Sequence, residues 1–318
     1  SEATLLAFRL ARGYTGRDKI VRIDGHFHGG HDYALANNLF MKADLTNTGG
    51  KLSKITNLTA GIPKAIADTL FLIRWNDVEV FEKLCALHGD EIAAISMVPV
   101  DYNNGCVTTT PEYLKAIRAI CDKYGILLIF DEVLSGFRTG LSCAQGYYGV
   151  TPDICTLAKM MTNGVPLAAV AGKEKVMMKI WDEKNPVVSG GTFSGNVIGC
   201  AAGMAVMGIL EQPGFYDEWL GRCRKFFDSL QKVWDDAGVP CRVQDHGCSF
   251  FIYPGTRDRV TQPQDFGKLD FGLAVKFVAG CEAKGVNFHS DFTVSAMHDQ
   301  KTLDRALEII AEVVKECG

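Results

Sequence analysis

The sequence lacks several features that mark whole classes of protein. It has no surplus of basic residues, since 33 Lys and Arg stand against 37 Asp and Glu, for a net charge of -4. The basic residues are also scattered, whereas a protein that binds nucleic acid or an anionic membrane needs a basic patch. No apolar run reaches the ~18 residues of a membrane span, and the N-terminus has no signal-peptide pattern. We therefore expect no nucleic-acid partner, no membrane partner and a cytoplasmic location.

Paired cysteine motifs are absent as well. The eleven cysteines are dispersed along the chain, and no two of them form a CxxC pair. This usage is typical of reduced thiols that pack as small hydrophobic side chains in a cytosol-like compartment. With 47% hydrophobic and 22% charged residues among 318, the chain is long enough for one large domain and a smaller second one.

Predicted helices and strands alternate along the first two thirds of the chain. The helix predicted at 111–125, for example, has Pro111 in its first turn and Gly125 as its stop signal. Alternation of this kind predicts a parallel sheet in an α/β fold. We expect another unit of the same kind to run from Asp153 through the strand ICTLA to a strand at 167–172. The other elements predicted here are helix 2–12, strand 19–23, helix 77–88, strand 91–100, strand 126–130 and helix 195–210.

The pattern changes in two places. Residues 36–62 are rich in Asn, Thr, Gly and Lys with weak periodicity, which indicates a long irregular surface excursion. From about Pro213 the elements are those of a smaller α/β domain, so we predict a large domain at 1–212 and a small one at 213–318. Ser1 opens directly on a helical pattern with no Met before it, so we expect a natural N-terminal segment ahead of it. The elements predicted in the small domain are helices at 215–237, 270–284 and 301–316 and strands at CRVQ, SFFIYP and VNF.

Two opposite charges follow two neighbouring buried strands. The strand ILLIF ends at Asp131 and the strand ICTLA ends at Lys159. Because the carboxyl ends of parallel strands meet at one edge of the sheet, where open α/β folds bind ligands, we expect both side chains at that edge. A structural salt bridge is the plainer explanation of such a pair. The hydroxyl of Ser1 and the free N–H groups of the first helix add a place for a phosphate.

These three features together favour a phosphorylated, cationic heterocycle as the ligand. Pyridoxal phosphate (PLP) has this chemistry. Lys159 would hold its aldehyde as a Schiff base, and Asp131 would keep its ring nitrogen protonated so that the ring acts as an electron sink.

Four stretches, in order along the chain, carry a resemblance to a known family. The stretch PDICTLAKMMTNGVPLAAVAG resembles the lysine segment of class III aminotransferases, and DEVLSGFR followed by QGYYGVTPD resembles the glutamate-1-semialdehyde aminomutase-like branch. Residues 1–20 resemble the phosphate-cup helix of that family, and GGTFSGNVIGCAAG resembles its Gly-Thr loop. The resemblance covers essentially the whole chain. It implies the PLP-dependent transferase fold of type I, an α/β fold with a mostly parallel sheet in the large domain and a smaller C-terminal α/β domain.

The resemblance implies a role for each residue around the cofactor ring. Lys159 is the catalytic Schiff-base lysine, and Asp131 is the catalytic partner of the ring nitrogen. Val133 would contact one ring face and Phe27 would stack on the other, with ordinary core packing as the alternative for Phe27. His28 is expected near the ring.

The resemblance also implies how the phosphate is held. Ser1 would bind the phosphate in its own subunit, and Thr192 would reach the phosphate of the partner subunit, because the family builds its sites at the interface of a homodimer. The implied cofactor-binding residues are Ser1, Phe27, His28, Asp131, Val133, Lys159 and Thr192.

Several signals nearby have more than one interpretation. His26, His28 and His31 resemble a metal cluster, but no Cys or carboxylate completes a ligand set, so we expect no metal. Glu132 points to the opposite side of the strand from Asp131, and we interpret it as structural or as a support for the site. Arg138 reads a substrate carboxylate or forms a structural ion pair.

The sequence departs from the family at positions that bear on the substrate. Val98 stands before Pro99 where the family usually has Glu, so an acidic group near the cofactor is absent. Leu134 stands where many relatives carry a Gln that hydrogen-bonds the ring hydroxyl, although the aminomutase-like branch also has an apolar residue there. Because of these departures, the resemblance does not identify the substrate.

The function predicted is that of a PLP-dependent aminotransferase, which moves an amino group from an amine or amino acid to a keto or aldehyde acceptor, both small molecules. An aminomutase, which moves the amino group within one substrate, is the close alternative, with racemisation and decarboxylation behind it. A non-catalytic assembly protein is the alternative of another class. Val98 motivates this alternative, because it replaces the usual Glu of the family. A protein without catalytic activity, however, needs neither Lys159 nor Asp131 at the ends of buried strands.

Overall fold

A computed structural model describes most of the chain, in two compact units. The predicted domain boundary at residues 212 and 213 stays a prediction, and the second unit also takes two short segments from earlier in the chain. The described residues are 1–35, 59–288 and 292–317. The first unit comprises Ser1–Pro99, Thr109–Phe137 and Ser142–Gly208, and the second comprises Val100–Thr108, Arg138–Leu141 and Ile209–Gly318.

Helices and strands are numbered separately in chain order. The strands are β1 (Lys19–Ile23), β2 (Leu70–Ile73), β3 (Ile92–Met97), β4 (Val100–Asp101), β5 (Val107–Thr108), β6 (Leu127–Glu132), β7 (Ile154–Leu157), β8 (Ala169–Gly172), β9 (Cys241–His246) and β10 (Ser249–Pro254). The helices are α1 (Glu2–Thr15), α2 (Asp32–Leu35), α3 (Lys64–Ala67), α4 (Val78–His88), α5 (Pro111–Tyr124), α6 (Cys143–Tyr148), α7 (Glu174–Met177), α8 (Val197–Leu210), α9 (Phe215–Asp236), α10 (Phe271–Ala283) and α11 (Gln300–Cys317).

The first unit is built on a six-stranded sheet with the order β2-β1-β3-β6-β7-β8. Every neighbouring pair is parallel except β7 and β8, which are antiparallel. The expectation that β8 would continue the parallel pattern is therefore wrong. The connection after β7 holds only a short 3-10 turn at Lys159–Met161, whereas a parallel return needs a crossover of a dozen or more residues that usually includes a helix. The sheet is thus mostly parallel, with one antiparallel edge.

The core of the first unit forms where α1 packs on this sheet. The buried residues of α1 include Ala3, Ala7, Phe8 and Ala11, a spacing that puts them on one helix face. Phe8 belongs to the same buried cluster as residues of β1, β3, β6 and β7. All six residues of β6 are buried, as expected for a strand covered on both faces. This packing holds the first residue of α1 and the last residues of β6 in one rigid unit.

Most of the predicted elements lie where the sequence placed them. The helix predicted at 111–125 is α5, which begins after Thr110, whose hydroxyl accepts the N–H of Tyr113, and ends at Gly125 in the left-handed conformation. Strand β2 was not predicted. The predicted strand VNF has no strand structure, and Thr293 instead forms an isolated bridge with Ser249. Of the predicted excursion at 36–62, all but the last four residues lie outside the described part of the chain.

The second unit combines the antiparallel hairpin of β9 and β10 with α9, α10 and α11. Trp219 anchors α9 in this unit by donating its indole N–H to the carbonyl of Val294 at 3.1 Å. Among the described residues no single helix is long and apolar enough to cross a membrane, and only α8 and α9 taken together across a bend meet that test.

Candidate active site

Asp131 is a buried carboxylate at the carboxyl end of β6 that three neutral groups hydrogen-bond. Its Oδ2 accepts from His28 Nδ1 at 2.8 Å, and its Oδ1 accepts from the Thr156 hydroxyl at 2.9 Å and from the Val133 N–H at 3.1 Å. Burial alone would raise the pKa of Asp131, but the hydrogen bonds, of which that from His28 has the largest effect, outweigh it, so the pKa lies below its ordinary value of 3.8. The side chain is therefore an anion at neutral pH, with its charge held by neutral donors.

His28 is a buried imidazole that orients Asp131. Burial lowers its pKa below 6.5 despite the opposing hydrogen bond to Asp131, so the ring is neutral at pH 7. A neutral ring that donates from Nδ1 has an unprotonated Nε2. This Nε2 is buried and has no hydrogen-bond partner among the described residues. Such an atom is costly to bury without a partner, which is a sign of a binding site.

Lys159 follows the end of β7, the strand that pairs with β6. Asp131 is opposite Thr156 in the register of these two strands, so the lysine comes three residues after the partner of the aspartate. Lys159 has a backbone φ of 45°, in the left-handed region that a residue with a side chain rarely adopts. It is exposed in the single chain. Strained backbone of this kind concentrates at functional sites, where the rest of the fold maintains it.

The two residues expected at the ring faces lie on the segments that follow β1 and β6. Phe27 is half-buried and directly precedes His28 in the loop after β1. Val133 is half-buried, and its N–H is tied to Asp131. Both are therefore fixed to the Asp131 network by the backbone, while their contacts with a ring stay a prediction.

Ser1 lies where the loop after β1 meets the start of α1. Its hydroxyl oxygen accepts the N–H of Gly30 at 2.8 Å, which leaves the hydroxyl proton for donation to a ligand. Gly29 has a φ of 99°, and a Cβ at this position would lie 2.7 Å from the Cα of Ser1. Only glycine allows this close approach. The predicted phosphate residue and the predicted ring loop are thus in direct contact.

Thr4 joins the same two segments from inside α1. Its buried hydroxyl lies 2.6 Å from the carbonyl of His28 and 3.2 Å from Nε2 of His31. Neither Thr4 nor Thr156 was predicted from the sequence. In each case the sequence has a polar residue on a surface that is otherwise apolar and buried. Thr4 lies on the inner face of α1, and Thr156 lies in the buried strand β7.

Thr192 lies in a turn before α8 and is exposed in the single chain. In the described part of the chain it makes no hydrogen bond to another predicted site residue. The next residue, Phe193, is 81% exposed, and so is Val197. The role of Thr192 in a neighbouring subunit stays a prediction.

Glu132 has a different task from the acid before it. Its carboxylate accepts the N–H of Ala144 at 2.6 Å and that of Gln145 at 3.3 Å, with further contacts to the side chains of Gln145 and Ser135. These contacts tie the first turn of α6 back to the end of β6. Burial raises the pKa of Glu132 to about 7, although the hydrogen bonds act in the opposite direction. Glu132 is structural, one of the two roles considered for it from the sequence.

The remaining candidates have partners in the protein. Arg138 donates to the hydroxyls of Ser249 at 3.0 Å and Thr293 at 2.6 Å, all within the second unit. His26 accepts the N–H of Val98 on its Nδ1 at 3.0 Å. Within residues 1–35, 59–288 and 292–317, no cluster of His, Cys, Asp and Glu has the arrangement of a metal site.

The residues present suit PLP. Asp131 is a buried anion aimed at the carboxyl edge of the sheet, and its neutral donors leave its charge for a protonated ring nitrogen. Lys159 follows the neighbouring strand, and Ser1 offers a hydroxyl proton beside the N–H groups that begin α1. When bound, PLP supplies an aldehyde for a covalent bond to an amine and a ring that withdraws electrons from the substrate carbon.

Comparisons with known proteins agree with this chemistry. The family model named Aminotransferase class-III matches residues 1–312. The glutamate-1-semialdehyde 2,1-aminomutase of Desulfatibacillum aliphaticivorans is 36% identical over 323 residues, covering 99% of this chain and 73% of that protein.

Solved structures of similar fold cover nearly the whole chain, and the following two each cover 99% of it. The ω-transaminase from Sphaerobacter thermophilus has a TM-score of 0.89 at 27% identity, with 72% of that chain covered. The FumI protein of Sphingopyxis sp. MTA144, solved in its PLP internal aldimine form, has a TM-score of 0.82 at 22% identity, with 68% of that chain covered. These matches confirm the family, fold type and cofactor predicted from the sequence. The chain belongs to the class III aminotransferases, PLP-dependent amino-transfer enzymes of fold type I.

Proposed function

We propose that the protein is a transaminase that moves an amino group between two small molecules, with Lys159 and Asp131 as its catalytic residues. The observation that carries this proposal is the Asp131 network, in which the buried carboxylate accepts hydrogen bonds from His28, Thr156 and Val133 within the described part of the chain. A carboxylate held in this way is suited to face a cation that comes from outside the chain.

The protein residues have distinct tasks in this proposal. Asp131 accepts the hydrogen bond of the ring nitrogen and keeps that nitrogen protonated. The Nζ atom of Lys159 would hold the aldehyde of PLP and would move the proton at the substrate Cα. Ser1 donates to the phosphate, and Phe27 and Val133 confine the ring between them.

The test of this proposal is covalent trapping of PLP on Lys159. Borohydride treatment of the PLP-loaded protein is expected to fix the cofactor on the peptide that contains Lys159, as read by mass spectrometry. Lys159→Ala should lose both the fixed cofactor and amino transfer. Lys175→Ala, a change of an exposed lysine on α7, should keep both. Fixation on another peptide, or equal activity in Lys159→Ala, would contradict the assignment.

An aminomutase is the second candidate, favoured by the relative that is 36% identical. The two reactions differ in stoichiometry, because a transaminase needs a separate acceptor and an aminomutase does not. Turnover measured with and without an added keto acid distinguishes them. We expect turnover to require the acceptor, and turnover without one would select the aminomutase.

The proposal includes a homodimer in which Thr192 serves the site of the partner subunit. It is supported by the apolar surface beside Thr192, where Phe193, Val197 and Ile198 are all more than 70% exposed. An apolar patch of this kind indicates an interface. Sedimentation is expected to give the mass of two chains, and a monomer that is fully active would contradict this part of the proposal.

The proposed location is the cytoplasm. It is supported by the eleven cysteines, all of which are free thiols and nine of which are buried. Reduced thiols persist in a reducing compartment.

A further inference from the structure

Strand β1 carries a guanidinium group in the interior of the first unit. Arg22 has no exposed surface, and its neighbours in the sheet are Leu72 on β2 and Ser96 on β3. Burial lowers the pKa of Arg22 to about 10 against the attraction of Asp24, so the group stays charged at pH 7. A buried charge costs several kcal/mol unless its surroundings compensate it. A charge in this place therefore needs an explanation.

The two terminal nitrogens of Arg22 contact the two ends of one loop. Nη2 donates to the carbonyl of His26 at 3.0 Å, and Nη1 donates to the carbonyl of Tyr33 at 3.2 Å. The segment between these carbonyls contains Phe27 and His28. The guanidinium is planar and presents its donors in a fixed fork, so two contacts from one group fix the distance between the loop ends.

The same loop carries much of the cofactor site. His28 orients Asp131, and Gly30 donates to the Ser1 hydroxyl. A shift of the loop would therefore disturb the ring end and the phosphate end of the site together. The charge of Arg22 also acts on the loop directly. It adds to the effect of burial in lowering the pKa of His28, and so helps to keep that ring in its neutral form.

We propose that Arg22 is a positioning residue of the PLP site, whose two carbonyl contacts fix the loop from His26 to Tyr33 in the conformation that binds the cofactor. This proposal rests on the proposed function, because it assigns Arg22 to the site that Lys159 and Asp131 define. A purely structural arginine would stabilise the fold without a specific effect on the cofactor.

Two variants separate these roles. Arg22→Met removes both donors and the charge, and Arg22→Lys keeps the charge but has one nitrogen in place of two. Arg118→Met is the matched control, since Arg118 is a largely buried arginine that pairs with Asp153 at 2.7 Å and Asp122 at 2.8 Å. Among the described residues no ion pair or hydrogen bond joins it to the loop. For each protein, PLP affinity is measured by titration, the environment of the bound cofactor by visible circular dichroism, and Tm by thermal unfolding.

The expected result is a loss of PLP affinity without a matching loss of stability. Loss of two hydrogen bonds from a charged group predicts a fall of about tenfold to a hundredfold in PLP affinity for Arg22→Met. Arg22→Lys should lose less, and the circular dichroism band should change in both. Arg118→Met should lower Tm at unchanged PLP affinity.

Two results would overturn the proposal for Arg22. One is a PLP affinity and dichroism band in both Arg22 variants that equal those of Arg118→Met. The other is an affinity loss that follows Tm across all three variants. Failure of the unmodified protein to bind PLP would instead overturn the proposed function, and it would be seen before any variant is compared.

Discussion

The sheet of the first unit holds a buried aspartate at each of two opposite ends, and the two are satisfied by different means. Asp153 precedes β7 and pairs with the cations Arg118 at 2.7 Å and Lys173 at 2.8 Å, besides accepting the N–H of Leu128. Asp131 lies at the other end of the paired strands and has hydrogen bonds from a neutral imidazole, a hydroxyl and a backbone N–H. Both have pKa values below 3.8, because these partners outweigh the effect of burial.

The difference shows how a fold can separate a structural anion, Asp153, from Asp131, the anion to which the proposed function gives a catalytic role. Two cations of the protein neutralise Asp153, so nothing remains for a ligand. Neutral donors stabilise the anionic form of Asp131 without cancelling its charge, so the carboxylate still attracts a cation that arrives later. The two sites share burial and pKa direction, and only the charge of the partners distinguishes them.

The largest effect is expected when the functional anion is made neutral. Asp131→Asn removes the charge that keeps the ring nitrogen protonated, so amino transfer should fall at least about a hundredfold, as measured by initial rates at saturating PLP. The free energy of unfolding of the PLP-free protein should change little. A variant that keeps its rate would show that Asp131 has no catalytic role.

The corresponding substitution of Asp153 should have the opposite effects, a loss of stability with little change in the rate of amino transfer. Asp153→Asn leaves Arg118 and Lys173 without their partner, and removal of one member of a partly buried ion network costs about 3 kcal/mol. Denaturant unfolding should show this loss, while the rate per folded molecule well below Tm stays near that of the unmodified protein. If Asp153→Asn instead lost activity at full stability, the comparison between the two aspartates would be wrong.

A smaller effect concerns Glu132, the acid next to Asp131. Burial raises its pKa from 4.5 to about 7, so the folded protein holds this proton more tightly than the unfolded chain does. The contribution of Glu132 to stability is thus highest below pH 4.5 and is lost as the pH rises to about 7. Relative to the unmodified protein, Glu132→Gln should gain on the order of 3 kcal/mol across this interval.

The measurement for Glu132 is the free energy of unfolding at a series of pH values, taken as the difference between the variant and the unmodified protein. Glu79→Gln on the exposed face of α4 is the control for the loss of a surface carboxylate. A flat difference for Glu132→Gln would show that this carboxylate does not titrate in that range.

Much of the sheet was predictable because its strands are apolar and its helices carry clear start and stop signals. The six-residue strand β6 and the helix α5 before it follow directly from such local patterns. Strand β8 was predicted to be parallel to β7 and is antiparallel. The direction of a strand depends on the length and structure of the connection that precedes it, and the residues of the strand itself do not specify it. The predicted strand VNF failed because apolar residues alone do not specify pairing, which needs a partner strand.

The charged residues proposed at the ends of the strands could be identified from the sequence, whereas the side chains that hold the site in place could not. Asp131 and Lys159 are visible because a charge at the end of an apolar strand is unusual. Thr156 and Thr4 act through hydrogen bonds to groups distant in sequence, and Arg22 contacts the carbonyls of His26 and Tyr33. No local pattern indicates which carbonyl or carboxylate such a side chain will reach. The sequence therefore predicts the chemistry of the site, and the fold reveals what holds it in place.

The left-handed backbone at Lys159 has a consequence for attempts to make the protein more robust. Glycine adopts that conformation without steric strain, and relief of such strain is worth on the order of 1 kcal/mol. A selection for thermal resistance that ignores activity would favour glycine at this position. Because the proposed function makes Lys159 catalytic, such a selection would work against amino transfer, and an engineering programme should hold position 159 fixed from the outset.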